Sequence, residues 1–274
     1  MNKVSLIGSA LLSVWSGLAC AADLPVKARP VAPAPVQSWV GFYGGVNVGY
    51  GWDRRDMAIG VGTTDPGLFG ALLEEYQQIG VIPRSLSPSA DGVIGGLQVG
   101  YNWQPGANWL FGLEADFQGS GIKGAQTHIA VVQFQETMRY DAEKKLDWFG
   151  TVRARLGVLA TPSLLLYATG GLAYGNTKIN FNAANLDVGC GVPLTLCARG
   201  SSSGVKIGWT AGAGIEAMLA SNWSFKAEYL FVDLGKRSAH IVLDTVPEVF
   251  YTPSTRFQEH IARVGVNYHF NAGR

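Results

Sequence analysis

Charge is scarce in this chain. Only 15% of its 274 residues are Asp, Glu, Lys or Arg, against roughly a quarter in soluble proteins. The formal net charge of +1 gives no electrostatic footprint for nucleic acid. Long hydrophobic runs are missing too. Beyond residue 22 no apolar stretch approaches the ~20 residues of a membrane-spanning helix, which excludes a helical membrane bundle. Cysteine is limited to Cys20, Cys190 and Cys197. What the chain has in excess is glycine, 36 residues, about twice the usual share. Aromatics make up 11%, too many for a disordered chain. These limits leave a Gly- and aromatic-rich all-β protein.

The first 22 residues read as a secretory signal: Lys3, an apolar and small-residue stretch from Val4 to Leu18, then Cys20-Ala21-Ala22 before a cut. A lipidated Cys20 is the rival, weakened by Gly17, which stands where a large aliphatic residue is wanted. Residues 23–38 carry Pro25, Pro30, Pro33 and Pro35 and predict an extended periplasmic tether. Export would leave Cys190 and Cys197 in an oxidising compartment, as a local disulfide or as two free thiols. No His lies near them, so zinc is not expected.

From Trp39 to Phe270 the sequence returns again and again to period-two alternation, the mark of strands with one apolar face. Eight segments show it: 39–52, 91–104, 109–120, about 143–159, 163–177, 203–219, 223–234 and 257–270. In the seventh, Trp223, Phe225, Ala227, Tyr229 and Phe231 oppose Ser224, Lys226 and Glu228. In the fourth, Leu146, Trp148, Val152, Ala154, Leu156 and Val158 oppose Asp147, Thr151, Arg153, Arg155 and Gly157. Residues 105–108, 160–162 and 220–222 are of hairpin-turn length, whereas 53–90, 121–142, 178–202 and 235–256 are long. Such alternation puts short turns at one rim and long loops at the other, as in outer-membrane barrels.

The polar face decides which side is inside. It carries many glycines, which weaken a solvated strand but fit the narrow lumen of an eight-stranded barrel. Its charges come in both signs: Glu114, Asp116, Glu216 and Glu228 against Arg153, Arg155, Lys206, Lys226 and Arg263. Inward pairing is what buried charges need. The apolar face then meets lipid. Trp103, Trp109 and Trp223 fall at the short-turn rim and Trp52 toward the long loops, where aromatic girdles belong.

The segments GFYGGVNVGYGW (41–52), GGLQVGYNWQ (95–104), FGLEADFQGS (111–120), LDWFGTVRARLGV (146–158), LLYATGGLAYG (165–175), AGAGIEAMLASNWSFKAEYLFVDLG (211–235) and RVGVNYHF (263–270) resemble the outer-membrane immunogenic proteins of rhizobia and brucellae. That small porin-like β-barrel family is related to the transmembrane domain of the major outer-membrane protein A. The resemblance implies an outer-membrane location in a Gram-negative bacterium, eight strands over 39–270, surface-exposed loops and no enzymatic activity. It implies no general cofactor, although some members are credited with a narrow channel or with haem binding. Arg263, Gly265, Tyr268 and Phe270 look like the signal read by the barrel-assembly machinery, followed here by a tail, 271–274. The expected partners are that machinery and outer-membrane lipid; the sequence names no extracellular ligand.

Motifs of soluble chemistry are weak. Gly212-Ala213-Gly214-Ile215-Glu216-Ala217 has dinucleotide-like letters but lies mid-strand with no helix after it. Ser203 to Lys206 has S-x-x-K spacing and also opens a strand. His128, His240, His260 and His269 lack metal-type spacing. A lipid-acting hydrolase would need His260 with Ser238 or Asp233, and loop-mediated recognition of a ligand or host surface is the other alternative to a structural barrel. Residues 65–79 predict a loop helix, with an Asp cap, Pro66 at its start and Leu68, Leu72 and Tyr76 on one face.

Overall fold

A computed structural model of the protein describes residues 38–131 and 137–270. The signal segment, the tether except Ser38 and the tail 271–274 lie outside the described residues. Eight long strands form an antiparallel ring: β1 (Gly41–Asp53), β2 (Ala90–Trp103), β3 (Trp109–Ser120), β4 (Thr137–Thr161), β5 (Leu164–Asn185), β6 (Ala198–Met218), β7 (Trp223–Ser238) and β8 (Val249–His269). Each pairs with its sequence neighbour, and β1 closes the ring on β8 with Val46 opposite Val266. Closure satisfies the backbone groups that lipid cannot.

Side chains alternate along each strand, so the wall has an inner and an outer face throughout. What changes with height is the polarity of each face. On β5 the outward residues run Leu166, Ala168, Leu172 and Tyr174, then Asn176, Lys178, Asn180 and Asn182. The inward ones run Thr169, Gly171 and Ala173, then Ile179, Phe181 and Ala183, the last three all buried. β4 repeats the inversion. Arg139, Asp141, Glu143 and Lys145 lie outside above Val152 and Leu156, while Met138, Tyr140 and Ala142 lie inside above Thr151, Arg153 and Arg155. The lower half has an apolar exterior and a polar interior; the upper half has a polar exterior and an apolar interior. On β7 the apolar outer band runs from Trp223 to Phe231. That is roughly 27 Å along the strand, or about 20 Å across the bilayer after a ~40° tilt, near the apolar height expected of such barrels.

The long connections are therefore shorter than the alternation implied. β4 to β8 reach further into 121–142, 178–202 and 235–256 than the expected segment limits, because above the membrane the contrast between faces inverts and the apolar-out pattern stops. Two further strands continue the wall: Met57–Thr63 along the upper part of β8, and Lys123–Val131 along β4. Leu146 is also corrected. A bulge between Leu146 and Trp148 changes the register, so Leu146 points inward and is fully buried rather than facing lipid with Trp148.

The first connection caps the long-connection end. A π-helical turn, Pro66–Gly70, leads into the helix Ala71–Gln78, and the Asp65 carboxylate accepts from the Leu68 amide at 3.2 Å. The packed face is Phe69, Leu73 and Tyr76; Leu68 and Leu72 are exposed, one position away from the expected stripe. Beneath it, Met57, Ile59, Ile82, Leu86, Tyr140, Phe181, Tyr251 and Phe257 belong to one apolar core. Burial pushes the Tyr140 phenol up to about 12, so that ring stays neutral.

Candidate functional site

The lumen within the membrane-spanning half holds the polar residues that could carry function. β3 contributes Glu114 and Asp116, β4 Arg153 and Arg155, β6 Glu216, β7 Lys226 and Glu228, and β8 Arg263. All eight side chains are inaccessible to solvent. Arg153 donates to Glu114, to Asp116 at 2.9 Å and to Glu228 at 2.9 Å. Arg263 donates to Glu228 at 2.7 Å and Asp116 at 3.0 Å. Arg155 reaches Glu216 at 2.6 Å and the Tyr43 hydroxyl at 2.7 Å, and its guanidinium lies 4.1 Å from the Tyr167 ring centroid. Lys226 donates to both Glu114 oxygens at 3.0 and 3.1 Å. Four cations thus face four carboxylates, with Thr151, Ser224 and Asn267 supplying further donors at 2.6 to 2.8 Å.

Glycine makes this crowding possible. The ring of Tyr43 lies where a Cβ on Gly100 would sit, and a Cβ on Gly171 would overlap the β4 backbone at Val152 and Arg153.

Lys206 differs from its expected place in the network. It is half-buried on the inward side of β6 opposite Gly175, and no ion pair joins it among the described residues. It lies above the ionic layer, where the interior has become apolar. The sequence reading missed a second buried ionic group at that level: Lys144 pairs with Asp53, and Glu259 lies beside them, all fully buried. Lys144 sits in the inverted part of β4, where an inward charge breaks the local apolar-in pattern instead of following it.

At the short-turn end an apolar floor of Trp39, Leu110, Leu165, Tyr167 and Met218 packs together. Trp39 is buried and its indole N–H donates to the Pro162 carbonyl at 3.1 Å. Around this rim Trp103, Trp109 and Trp223 point outward, with Trp223 5.0 Å from Tyr268 and Tyr268 5.3 Å from Phe270. Trp52 lies in the upper belt, 5.9 Å from His260. Of the four residues read as an assembly signal, Arg263 and Gly265 face the lumen and Tyr268 and Phe270 the lipid side.

The hydrolase candidates do not come together. His260 bonds Tyr229 at 2.6 Å in the upper belt, Asp233 is held by Arg256 and Gln258, and Ser238 pairs opposite Ser254. A different set does meet: the Ser224 hydroxyl lies 3.0 Å from His269 Nε2 and donates to Glu216 at 2.6 Å. Yet Glu216 engages the serine and leaves the histidine Nδ1 unoriented, and all three residues are buried, so the arrangement lacks the relay and access of a nucleophilic site. No group of three or more His, Cys, Asp or Glu suited to a metal occurs among the described residues. Cys190 and Cys197 are joined in a disulfide with Cα atoms 5.5 Å apart, in the connection between β5 and β6.

An antiparallel ring of strands with an apolar exterior agrees with the family that comparison with known proteins gives. The family described as outer membrane protein beta-barrel domain matches residues 18–270. The chain belongs to that family. A 31 kDa outer-membrane immunogenic protein of Brucella melitensis biotype 1 is 38% identical over 270 residues, covering 97% of this chain and 99% of its own length. A 22 kDa outer membrane protein of Rhizobium leguminosarum bv. viciae is 29% identical over 213 residues, 78% of this chain and 69% of that protein. Among solved structures, the outer membrane protein OprG from Pseudomonas aeruginosa is 13% identical and covers 85% of this chain and 97% of its own, with a TM-score of 0.44. As a member of this family the protein resides in the outer membrane of a Gram-negative bacterium, with the short turns periplasmic and the long connections extracellular.

Proposed function

We propose that this outer-membrane protein is a non-enzymatic structural and surface-display barrel whose lumen is closed or only narrowly conducting. The observation that carries the reading is the filling of the interior at every level: apolar floor, balanced ionic layer, apolar extracellular core. A desolvated ionic layer with its members paired offers a permeating ion no vacant counter-charge, and the apolar layers on both sides oppose wetting. The last strand, ending in Tyr268 and Phe270 on the lipid side, acts in this reading as the recognition element for barrel assembly. Planar-bilayer recording from the purified protein tests the proposal. No stable, large conductance is expected; reproducible large channels would refute the closed lumen and favour a porin role.

A second reading, recognition through the extracellular surface, is favoured by the exposed Leu68, Leu72 and Ile79 around the capping helix. Unchanged adhesion to host cells and unchanged haem binding after replacement of 64–80 by a short polar linker would eliminate it.

A further inference from the structure

Three kinds of side chain are stacked in order of height on the outer face of β4 and its neighbours. At the upper membrane boundary lie Phe117, Trp148 and Tyr174, with Trp148 5.5 Å from Phe117 and 6.3 Å from Tyr174. Above them the ladder register places Lys123 opposite Lys145 and Lys145 opposite Lys178. All three lysines are on the outward face. Strand spacing puts successive Cα atoms about 5 Å apart, so three ammonium groups can converge on one phosphate. Lys145 pairs with Asp147, and Asp91, opposite Lys123, accepts from the Tyr50 hydroxyl. Lys123 and Lys178 have no carboxylate partner among the described residues.

The next rows outward are polar and planar. Asn180 donates to Glu143 at 3.0 Å, and Asp141 accepts from Thr127 at 2.6 Å, Arg139 at 2.9 Å and Asn182 at 3.2 Å. Burial alone would raise the Asp141 pKa, but these three donors outweigh it and hold the carboxyl below its usual range. Arg199 and Ser201 line the same space, with no side-chain hydrogen bond or ion pair among the described residues. Together these groups line a cleft of about 560 Å³ that opens to the outside. Paired carboxylates, amides and guanidinium groups fixed on a rigid sheet match the vicinal hydroxyls of a sugar, each of which both donates and accepts.

We propose that this face binds the headgroup of a phosphorylated glycolipid of the outer leaflet, phosphate on Lys123, Lys145 and Lys178 and sugar hydroxyls in the cleft above them. The vertical order decides between ligand classes. Acyl chains meet the aromatic belt, phosphate the lysine row one step higher, and sugar the polar rows beyond. A plain anionic phospholipid would use the lysines and leave the cleft empty; a soluble saccharide would use the cleft and neglect the lysines.

The test titrates the folded full-length protein in zwitterionic detergent with purified lipopolysaccharide, using phosphatidylglycerol and inorganic phosphate as comparison probes. Lipopolysaccharide binding at least tenfold tighter than phosphatidylglycerol is expected, with no displacement by millimolar phosphate. Each lysine near an anionic headgroup contributes about fivefold, so K123Q/K145Q/K178Q weakens binding on the order of 100-fold. N180A/N182A weakens lipopolysaccharide binding and leaves phosphatidylglycerol binding unchanged, and K236Q, on β7 and in neither the lysine row nor the cleft lining, changes neither. The mobility shift between boiled and unboiled samples verifies folding; should the triple variant fail it, K178Q alone carries the test with a fivefold loss. Full affinity in a folded lysine variant, equal affinity for phosphatidylglycerol, or displacement by free phosphate would each overturn the proposal.

Discussion

Replacing Arg153 with Met is the sharpest probe of the lumen. Arg153 hydrogen-bonds three of the four carboxylates, Glu114, Asp116 and Glu228, where Arg263 hydrogen-bonds two, and its side chain is fully inaccessible. Its loss changes the layer from four cations against four anions to three against four, among side chains that are all inaccessible to solvent. Arg263 still reaches Asp116 and Glu228, and Lys226 still reaches Glu114, so the surplus is shared and not left on one group. Breaking a buried pair by removing one partner typically costs about 3–5 kcal/mol, and the same range is expected here. That lowers the folded-to-unfolded ratio by a factor of roughly 100 to 4,000. Urea titration in detergent, read by the electrophoretic shift and by tryptophan fluorescence, measures it. R153M/E228Q restores equal numbers of each sign and is expected to recover a large part of the loss. If R153M costs less than about 1 kcal/mol, or the double variant loses the full sum of the single losses, the layer is hydrated and the sealed-lumen reasoning is refuted.

The remaining tests address other levels of the barrel. Spin labels at Leu172 and Asn180, both outward on β5, should report lipid and water respectively; lipid at both sites would remove the polarity inversion. Trp39→Ala deletes a buried ring and its bond to Pro162, with an expected loss of about 3–5 kcal/mol in the same urea assay. Gly171→Ala forces a Cβ into the β4 backbone and should cost at least about 2 kcal/mol, visible as slowed or incomplete folding into micelles. Glu259→Met removes a buried carboxyl whose two oxygens have no hydrogen-bond partner among the described residues; stability should rise by about 1–3 kcal/mol, and a fall would show that the carboxyl is needed as it stands.

The membrane-spanning half was legible because lipid imposes one rule on every strand. Trp223 to Phe231 against Ser224 to Glu228 can be read only one way once glycine and mixed charges mark the lumen. Even there the reading covers which charges face inward, not how they pair: Arg153 reaching across to Glu228 depends on curvature that no single strand encodes. Strict period-two alternation puts Leu146 on the wrong face because a bulge adds a residue without changing the composition around it. The upper strands were hidden for a different reason. At Thr177 to Asn185 the alternation persists, but its apolar members now point inward, so a search for continued apolar-out strands ends near Tyr174. The helix face was misplaced by one position because Leu68, Leu72 and Leu73 are equivalent in kind, and only the location of the core distinguishes them.

The inversion also bears on how such a barrel can be closed. In the bilayer the outer face is already in an apolar medium, so a polar interior is tolerable provided that it is internally paired. Above the bilayer the outer face is wet, and stability must come from apolar side chains buried inside. One strand therefore contributes to two cores of opposite character, and they meet where Lys144, Asp53 and Glu259 adjoin Leu230, Val232 and Ile261. If, as proposed, the two cores exclude water by different means, charge pairing below and apolar packing above, loss of one leaves the other intact. R153M should then destabilise the barrel without making it conduct, whereas R153M combined with removal of the 54–89 cap and the Trp39 floor should do both. Conductance from R153M alone would mean that the apolar layers are not seals, and that the ionic layer by itself keeps the lumen shut.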